Sequence, residues 1–268
     1  MGAVRGGPHP ISWHGPIFAL ADELGRDCFS APFDSTAVEV LESLGAPAYK
    51  IASSELVDLP LVRQAAETGK PVILSTAVAS LAEIDAAVRA VRSTGNDDVA
   101  VLVCAPGYPA DPAALNLRGI PVLAEALGVP VGLSDHTLGT GPAVAAVALG
   151  AVIVEKHVTL SRQDAPIDSA FSLTPPELAD LVTSTYAAWL ALGQPRVGAP
   201  ADEDVPGRRY RRSLRVTERV QPGDPVSIRN VRSLRPAGGL LPHEFELVAR
   251  RTFTGAAEPG DPLTWDLL

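Results

Sequence analysis

The chain has 268 residues, of which 46% are hydrophobic and 20% charged, and its formal net charge at pH 7 is -9. A chain of this length and composition buries a globular core, and its acidic balance argues against a nucleic-acid or anionic-membrane partner. No apolar run is long enough to span a bilayer, and two cysteines provide no disulfide framework, so we expect a cytoplasmic protein.

Short apolar runs alternate with amphipathic segments over the first 190 residues. Helical spacing and capping residues predict helices at residues 13–24, 35–45, 59–68, 81–92, 120–127 and 174–192. Strands are predicted at residues 27–30, 48–53, 71–75, 99–104, 129–133 and 151–154. Strands that alternate with helices through short connections indicate a parallel sheet.

Polar side chains follow nearly every predicted strand, which is where α/β folds place their chemistry. They are Asp34, Lys50, Ser53, Ser75, Thr76, Tyr108, residues 134–136 and residues 155–157. An active site built from residues at so many strand ends is typical of a (β/α)8 barrel rather than of an open sheet. A complete barrel needs eight strands, and we predict six before residue 160. The expected fold is therefore an α/β barrel of the TIM type with two strands missing.

The strongest functional signal lies in residues 129–160, where two apolar runs each end in polar residues that include a histidine. His136 and His157 should lie on one rim, at the tops of neighbouring strands. Converging imidazoles can hold a divalent metal ion. Each histidine follows a carboxylate or lies near one (Asp135, Glu155), which favours a shared site. A strand-end histidine bonded to a backbone carbonyl is the structural alternative.

The composition changes after residue 193. Residues 194–210 are rich in proline, glycine and acidic side chains and are interpreted as a linker, which separates a barrel domain (1–193) from a small β-rich domain (211–268). The run of basic residues at 207–219 has three possible interpretations: a solvated linker segment, an anion-binding site or part of a subunit interface.

Several motifs, in the same order and with the same spacing, resemble the sialic acid synthase family, which includes N-acetylneuraminate synthases and spore coat polysaccharide synthases. They are APFD (31–34), YKIASSE (49–55), KPVILST (70–76), GLSDHT (132–137), EKHVTL (155–160), Asp168 with Ser172, and LRPAGGL (234–240). The resemblance implies a barrel joined to a C-terminal SAF (antifreeze-like, β-clip) domain. It also implies condensation of phosphoenolpyruvate with an N-acetylated amino sugar such as N-acetylmannosamine, which gives a sialic-acid-type nonulosonic acid and phosphate.

The resemblance further implies a metal ion and a phosphoenolpyruvate site in the barrel. Mn²⁺ or Mg²⁺ would be ligated by His136 and His157. Phosphoenolpyruvate would be held by one ammonium and three hydroxyl groups, those of Lys50, Ser53, Ser75 and Ser134. Such a set suits a ligand that carries both a phosphate and a carboxylate. Taken singly, each serine is more often a helix cap than a ligand, so the serine assignments depend on the family pattern. Lys50 could extend into solvent from its strand end, but its place between Tyr49 and Ile51 in a buried strand argues against this.

Other residues are assigned through the resemblance to the sugar and to a second subunit. Tyr108 would lie near the sugar, and Asp168 would contact a substrate hydroxyl. Arg235 of the SAF domain would reach into the barrel of a partner subunit, which implies a domain-swapped homodimer. The residues expected to be catalytic are Lys50, Asp168, His136 and His157.

The chain departs from the family pattern at its start and near the sixth barrel strand. The family's first two strands, with a glutamate and a lysine, do not precede APFD, and Val103 occupies the position of a family histidine. An open barrel exposes strand edges and part of its lumen, so we expect an N-terminal extension to complete it. Two other functions stay open: a degenerate, non-catalytic homologue that binds sugar or regulates a partner, and a phosphoenolpyruvate aldol synthase that makes a 3-deoxy sugar acid.

Overall fold

The computed structural model describes residues 10–164, 168–195, 197–198 and 207–268. They belong to two compact units, Met1–Gln194 and Pro195–Leu268, each of which is described by itself. Most of the linker predicted at residues 194–210 lies outside the described residues. In the described part of the chain, no helix is both long enough and apolar enough to cross a membrane.

A parallel sheet of five strands forms the centre of the first unit. The strands are β1 (Tyr49–Ile51), β2 (Val72–Ser75), β3 (Val99–Cys104), β4 (Val131–Asp135) and β5 (Val154–Lys156). Each strand pairs in parallel with the next one along the chain. Side chains on both faces of the central strands are buried, as expected for a sheet covered by helices. Sequential parallel order with helical crossovers is the topology of a barrel segment.

Seven helices of the described residues precede, connect or follow the strands, and some begin at the polar capping residues that the sequence indicates. They are α1 (His14–Glu23), α2 (Ser35–Ser43), α3 (Leu59–Glu67), α4 (Leu81–Arg92), α5 (Gly119–Leu127), α6 (Gly141–Ala148) and α7 (Pro175–Leu192). Asp34 caps α2 by accepting a hydrogen bond from the backbone N–H of Ala37. Ser80 and Glu83 form a reciprocal capping box at the start of α4. These caps satisfy backbone N–H groups that have no partner inside the helix.

The prediction of a strand at residues 27–30 is wrong. One backbone hydrogen bond joins this segment to β1, from the Lys50 N–H to the Ser30 carbonyl at 3.4 Å. Asp27 and Phe29 are exposed. Among the described residues, no strand lies on the side of this segment that faces away from β1. The segment therefore has few partners for its backbone groups, and it runs beside β1 without forming a regular ladder. The sheet therefore has five of the six predicted strands.

Gly132 allows β4 to approach β5 closely. A Cβ atom at this position would lie 2.4 Å from the Ile153 carbonyl oxygen and 2.7 Å from Leu102 Cδ2. We expect Gly132→Ala to lower the free energy of unfolding by about 3 kcal/mol, because backbone and core must shift to admit the methyl group. Urea denaturation measures this loss. Gly119→Ala is the control, because a Cβ atom there has no neighbour within 4 Å, and equal losses in both variants would contradict the interpretation.

The second unit has a small antiparallel sheet and its own hydrophobic core. Strand β6 (Ser213–Val216) pairs with β7 (Val231–Leu234), and a short helix, α8 (Phe245–Val248), follows. Isolated bridges connect further extended segments to this pair, among them Arg215 with Pro262. The core is formed by apolar side chains that include Leu214, Val216, Val231, Val248, Phe253 and Leu263.

Candidate active site

Polar side chains from all five strands of the first unit lie at the carboxyl end of the sheet, where the ends of parallel strands meet. They are Lys50 of β1, Ser75 of β2, Cys104 of β3, Ser134 of β4 and Glu155 of β5. Two loops add Tyr108, after β3, and Asp168, after β5. The structure thus brings together the residues that the sequence predicts to bind phosphoenolpyruvate, metal and sugar in this unit.

The Lys50 ammonium occupies a buried position in this cluster. Its Nζ donates a hydrogen bond to Ser75 Oγ at 2.7 Å and lies 3.6 Å from Glu155 Oε2. The side chain is 11% exposed. Burial lowers the pKa of Lys50, and the nearby Glu155 carboxylate opposes that shift. Nζ also donates to the Ile51 carbonyl oxygen at 3.3 Å, so an anionic ligand would compete with these partners for the ammonium.

Hydroxyl and thiol groups surround this ammonium. Ser134 Oγ donates to a Glu155 carboxylate oxygen, and Ser53 Oγ accepts a hydrogen bond from the backbone N–H of Ala77 at 3.1 Å. Burial raises the pKa of the Cys104 thiol, although hydrogen bonds with Ser134 and Ser53 act in the opposite direction. The thiol is therefore neutral at pH 7, and this part of the site presents uncharged donors.

The two histidines lie next to each other, with aromatic rings around them. Their ring centroids are 5.2 Å apart, and the Tyr108 ring lies 4.4 Å from His136 and 6.2 Å from His157. The ring centroid of Phe171 lies 5.1 Å from that of His157. Burial lowers the pKa of His136, and His157 lowers it further. A neutral imidazole keeps the nitrogen lone pair that binds a metal ion.

This arrangement fits a divalent metal ion. The imidazole nitrogens of His136 and His157 are suitable ligands for a divalent transition-metal ion, and oxygen ligands would fill the remaining positions of an ion such as Mn²⁺. Asp168 Oδ2 lies 3.6 Å from His157 Nδ1, a contact that is an ion pair when the imidazole is protonated. Among the described residues, no group of three histidine, cysteine, aspartate or glutamate side chains encloses a metal position. The two imidazoles would hold the ion and leave its other positions open.

The sequence interpretation misses the functions of some neighbouring residues. Of the two carboxylates expected beside the histidines, Glu155 faces Ser134 and Lys50, whereas Asp135 pairs with Lys156. Glu55 is a further residue that could contribute to the candidate active site. Its Oε2 atom is buried with no hydrogen-bond partner among the described residues, and its charge acts on the Lys50 ammonium. Its position at the end of the YKIASSE motif is the signal that could have found it.

Arg235 lies in the second unit, immediately after β7, and a cis peptide bond joins it to Pro236. Its assignment to a partner subunit's barrel stays a prediction.

A parallel barrel segment with paired imidazoles and a buried ammonium at its strand ends defines the site of a TIM-type barrel enzyme. Comparison with known proteins identifies the family. The NeuB family matches residues 8–196, and the chain belongs to that family. The expected relationship to sialic-acid-type synthases is thereby confirmed.

Individual relatives agree with this assignment. The chain is 38% identical to the pseudaminic acid synthase of Helicobacter pylori over 96% of its own length and 76% of that protein. It is 31% identical to the N,N'-diacetyllegionaminic acid synthase of Legionella pneumophila, over 94% of this chain and 72% of that protein. The crystal structure of the spore coat polysaccharide biosynthesis protein SpsE from Bacillus subtilis matches with a TM-score of 0.65 and 31% identity, covering 97% of this chain and 78% of that one.

Proposed function

We propose that this protein condenses phosphoenolpyruvate with an N-acetylated amino sugar, N-acetylmannosamine or a close analogue, to give a sialic-acid-type nonulosonic acid and phosphate. The observation that carries the proposal is the His136–His157 pair beside the buried Lys50 ammonium at one end of a parallel sheet. Relatives named as pseudaminic acid and N,N'-diacetyllegionaminic acid synthases support it. We assign the reaction to the cytoplasm, where the free thiols of Cys28 and Cys104 are stable.

Phosphoenolpyruvate is the ligand assigned to the Lys50 cluster. The ammonium bonds the anionic groups of this substrate, and the hydroxyls of Ser53 and Ser75 donate to its remaining oxygens. Ser134 joins them once its hydroxyl turns from the Glu155 carboxylate to the substrate. These charge-assisted hydrogen bonds gain strength in a buried site, because the surroundings have a low dielectric constant. Ser75 already bonds the ammonium, so it fixes the position of the positive charge before the substrate arrives.

The sugar is assigned to the side of the site that contains Tyr108 and Asp168. The Tyr108 ring lies against His136 and exposes most of its surface, so it offers an aromatic face to the sugar ring. Asp168 accepts a hydrogen bond from a sugar hydroxyl. His136 and His157 would hold a divalent metal ion, Mn²⁺ or Mg²⁺, which would supply a Lewis acid for the sugar aldehyde.

Phosphate release tests this function. The protein is incubated with phosphoenolpyruvate, Mn²⁺ and a panel of monoacetamido and diacetamido sugars, and the products are analysed by mass spectrometry. We expect release that depends on both the sugar and the metal. The protein could bind one of these sugars although none of them supports phosphate release. That result would replace the synthase function by the second candidate function, that of a non-catalytic sugar-binding homologue. Ala31, at the position of a family threonine, is the observation that favours this alternative.

We further propose that two additional strands close the barrel between β5 and the extended segment at residues 27–30, which runs beside β1. Strands β1 and β5 are the outermost strands of the sheet, and Val152 and Leu160, which flank β5, are 68% and 86% exposed. A sheet edge beside apolar side chains is unfavourable in water. In a chain extended by the first two strands of a relative, we expect slower hydrogen exchange at β5 amides. Unchanged exchange would contradict this closure.

The second unit is proposed to be an SAF domain that contributes Arg235 to a partner's barrel in a domain-swapped homodimer. Its antiparallel β6–β7 pair and separate core support an independent domain. Two inactive variants, His136→Ala and Arg235→Ala, test the exchange when they are mixed after dissociation. A mixed dimer would contain one site with both residues intact, so activity should return. A mixture that stays inactive, from variants shown to exchange subunits, would refute it.

A further inference from the structure

A buried ion pair lies directly behind the two histidines. Lys156 Nζ is 2.7 Å from Asp135 Oδ2, and the two side chains are 3% and 0% exposed. Asp135 and Lys156 occupy paired positions in the β4–β5 ladder, and each immediately precedes one of the histidines. The pair therefore joins the two strand ends at the residues next to His136 and His157.

The same ion pair also fixes the turn that carries His136. Lys156 Nζ donates a second hydrogen bond to the Thr137 carbonyl oxygen at 2.6 Å. Asp135 Oδ1 accepts from the Thr137 backbone N–H at 2.9 Å and from Thr137 Oγ1 at 2.7 Å. The residues on both sides of His136 are thus bonded to one ammonium that belongs to the strand of His157.

Strand alternation separates this network from the proposed substrate site. Ser134 and Glu155 are paired one position earlier in the ladder, and they bond each other within the site. Successive side chains point to opposite faces of a sheet, so the Asp135–Lys156 pair lies on the face away from that bond. Its hydrogen bonds reach His136 through the backbone, and its two charges act on the His136 imidazole in opposite directions.

Stability alone does not account for such a pair. The desolvation of two buried charges is costly, and an apolar pair of similar volume is commonly as stable or more stable. Directional bonds provide geometry that apolar packing does not. We propose that Asp135 and Lys156 are positioning residues that set the spacing of His136 and His157, and thereby the affinity of the site for a divalent ion. This inference rests on the metal site of the proposed function.

The test removes both charges together. In the double variant D135N/K156M, the amide still accepts hydrogen bonds from Thr137, and no unpaired buried charge remains. Isothermal titration with Mn²⁺ alone, on the metal-free full chain, should show affinity weakened by about 10- to 100-fold, the usual effect of losing residues that support metal ligands. The matched control is E42Q/K70M, which removes the Glu42–Lys70 ion pair between α2 and the segment before β2. Its affinity for Mn²⁺ should stay unchanged.

Each outcome decides the inference. A folded D135N/K156M variant with native affinity for Mn²⁺ would overturn it. If that variant does not fold, Thr137→Val decides, because it removes only the hydroxyl bond to Asp135; weaker Mn²⁺ binding supports the inference and unchanged binding overturns it. A native chain that binds no Mn²⁺ also overturns it. Native Mn²⁺ binding that weakens in the variants, without any phosphate release, leaves the inference standing and refutes the proposed reaction instead.

Discussion

Replacing His136 by alanine is expected to slow phosphate release from phosphoenolpyruvate by about a thousandfold, which corresponds to about 4 kcal/mol of lost transition-state stabilisation. The reason is that one of two imidazoles in the proposed metal site disappears, so the Lewis acid is no longer held beside the sugar. The measurement is a phosphate-release assay with Mn²⁺ at saturating substrates, together with a Mn²⁺ titration of the metal-free variant. His157→Ala should behave in the same way.

The C-terminal unit offers a matched control. His243 is an exposed histidine there, and His243→Ala should leave both phosphate release and Mn²⁺ affinity unchanged. Native activity in His136→Ala would show that this imidazole does not hold a catalytic ion. Loss of activity with intact Mn²⁺ binding would assign His136 a role in substrate binding instead.

Replacing Lys50 by methionine is expected to lower kcat/KM for phosphoenolpyruvate by about a hundredfold. Hydrogen bonds to a charged group contribute about 1.5–3 kcal/mol, and the 11% exposed Lys50 ammonium is well screened from water. Its loss also leaves the Glu155 carboxylate, 3.6 Å away in the native protein, without its counter-charge beside an anionic substrate. Steady-state kinetics and phosphoenolpyruvate binding measure the effect.

Lys70→Met is the control for Lys50→Met. Lys70 pairs with Glu42 rather than with the site, so kinetics should remain native in that variant even if stability falls. Lys50→Arg should recover part of the loss, because it restores the charge, although a planar guanidinium does not reproduce the geometry of an ammonium. A Lys50→Met variant that binds phosphoenolpyruvate with native affinity would disprove the assignment.

Much of the first unit could be predicted because its local signals agree with its fold. The capping box of Ser80 and Glu83 begins α4, and the structure gives that helix the predicted bounds, Leu81–Arg92. Apolar runs predicted the five strands of the sheet. The run at residues 27–30 looks equally strand-like, yet a strand also needs partners for its backbone groups. That requirement depends on the rest of the sheet and is invisible in a local pattern.

The general location of the candidate site could be predicted from the rule that the carboxyl ends of parallel strands meet at one edge of the sheet. This rule was sufficient to place Lys50 near His136 and His157, because consecutive parallel strands end at one rim. It does not give the direction of each side chain, which depends on the register of β4 against β5. Asp135 therefore looked like a companion of Glu155, although the two residues differ in ladder position and have different partners. The burial of the Glu55 Oε2 atom likewise becomes evident only in the folded chain.

The sequential order of the sheet has a consequence for how the protein is made. Because each strand pairs with the next one along the chain, each ladder can form as soon as its second strand leaves the ribosome. The last strand, β5, supplies Glu155 and Lys156, and His157 follows it directly. A nascent chain thus completes four of these five strands before it can bring the two imidazoles of the proposed metal site together. Asp168 and helix α7 are made later still, so the site is assembled late in the synthesis of this unit.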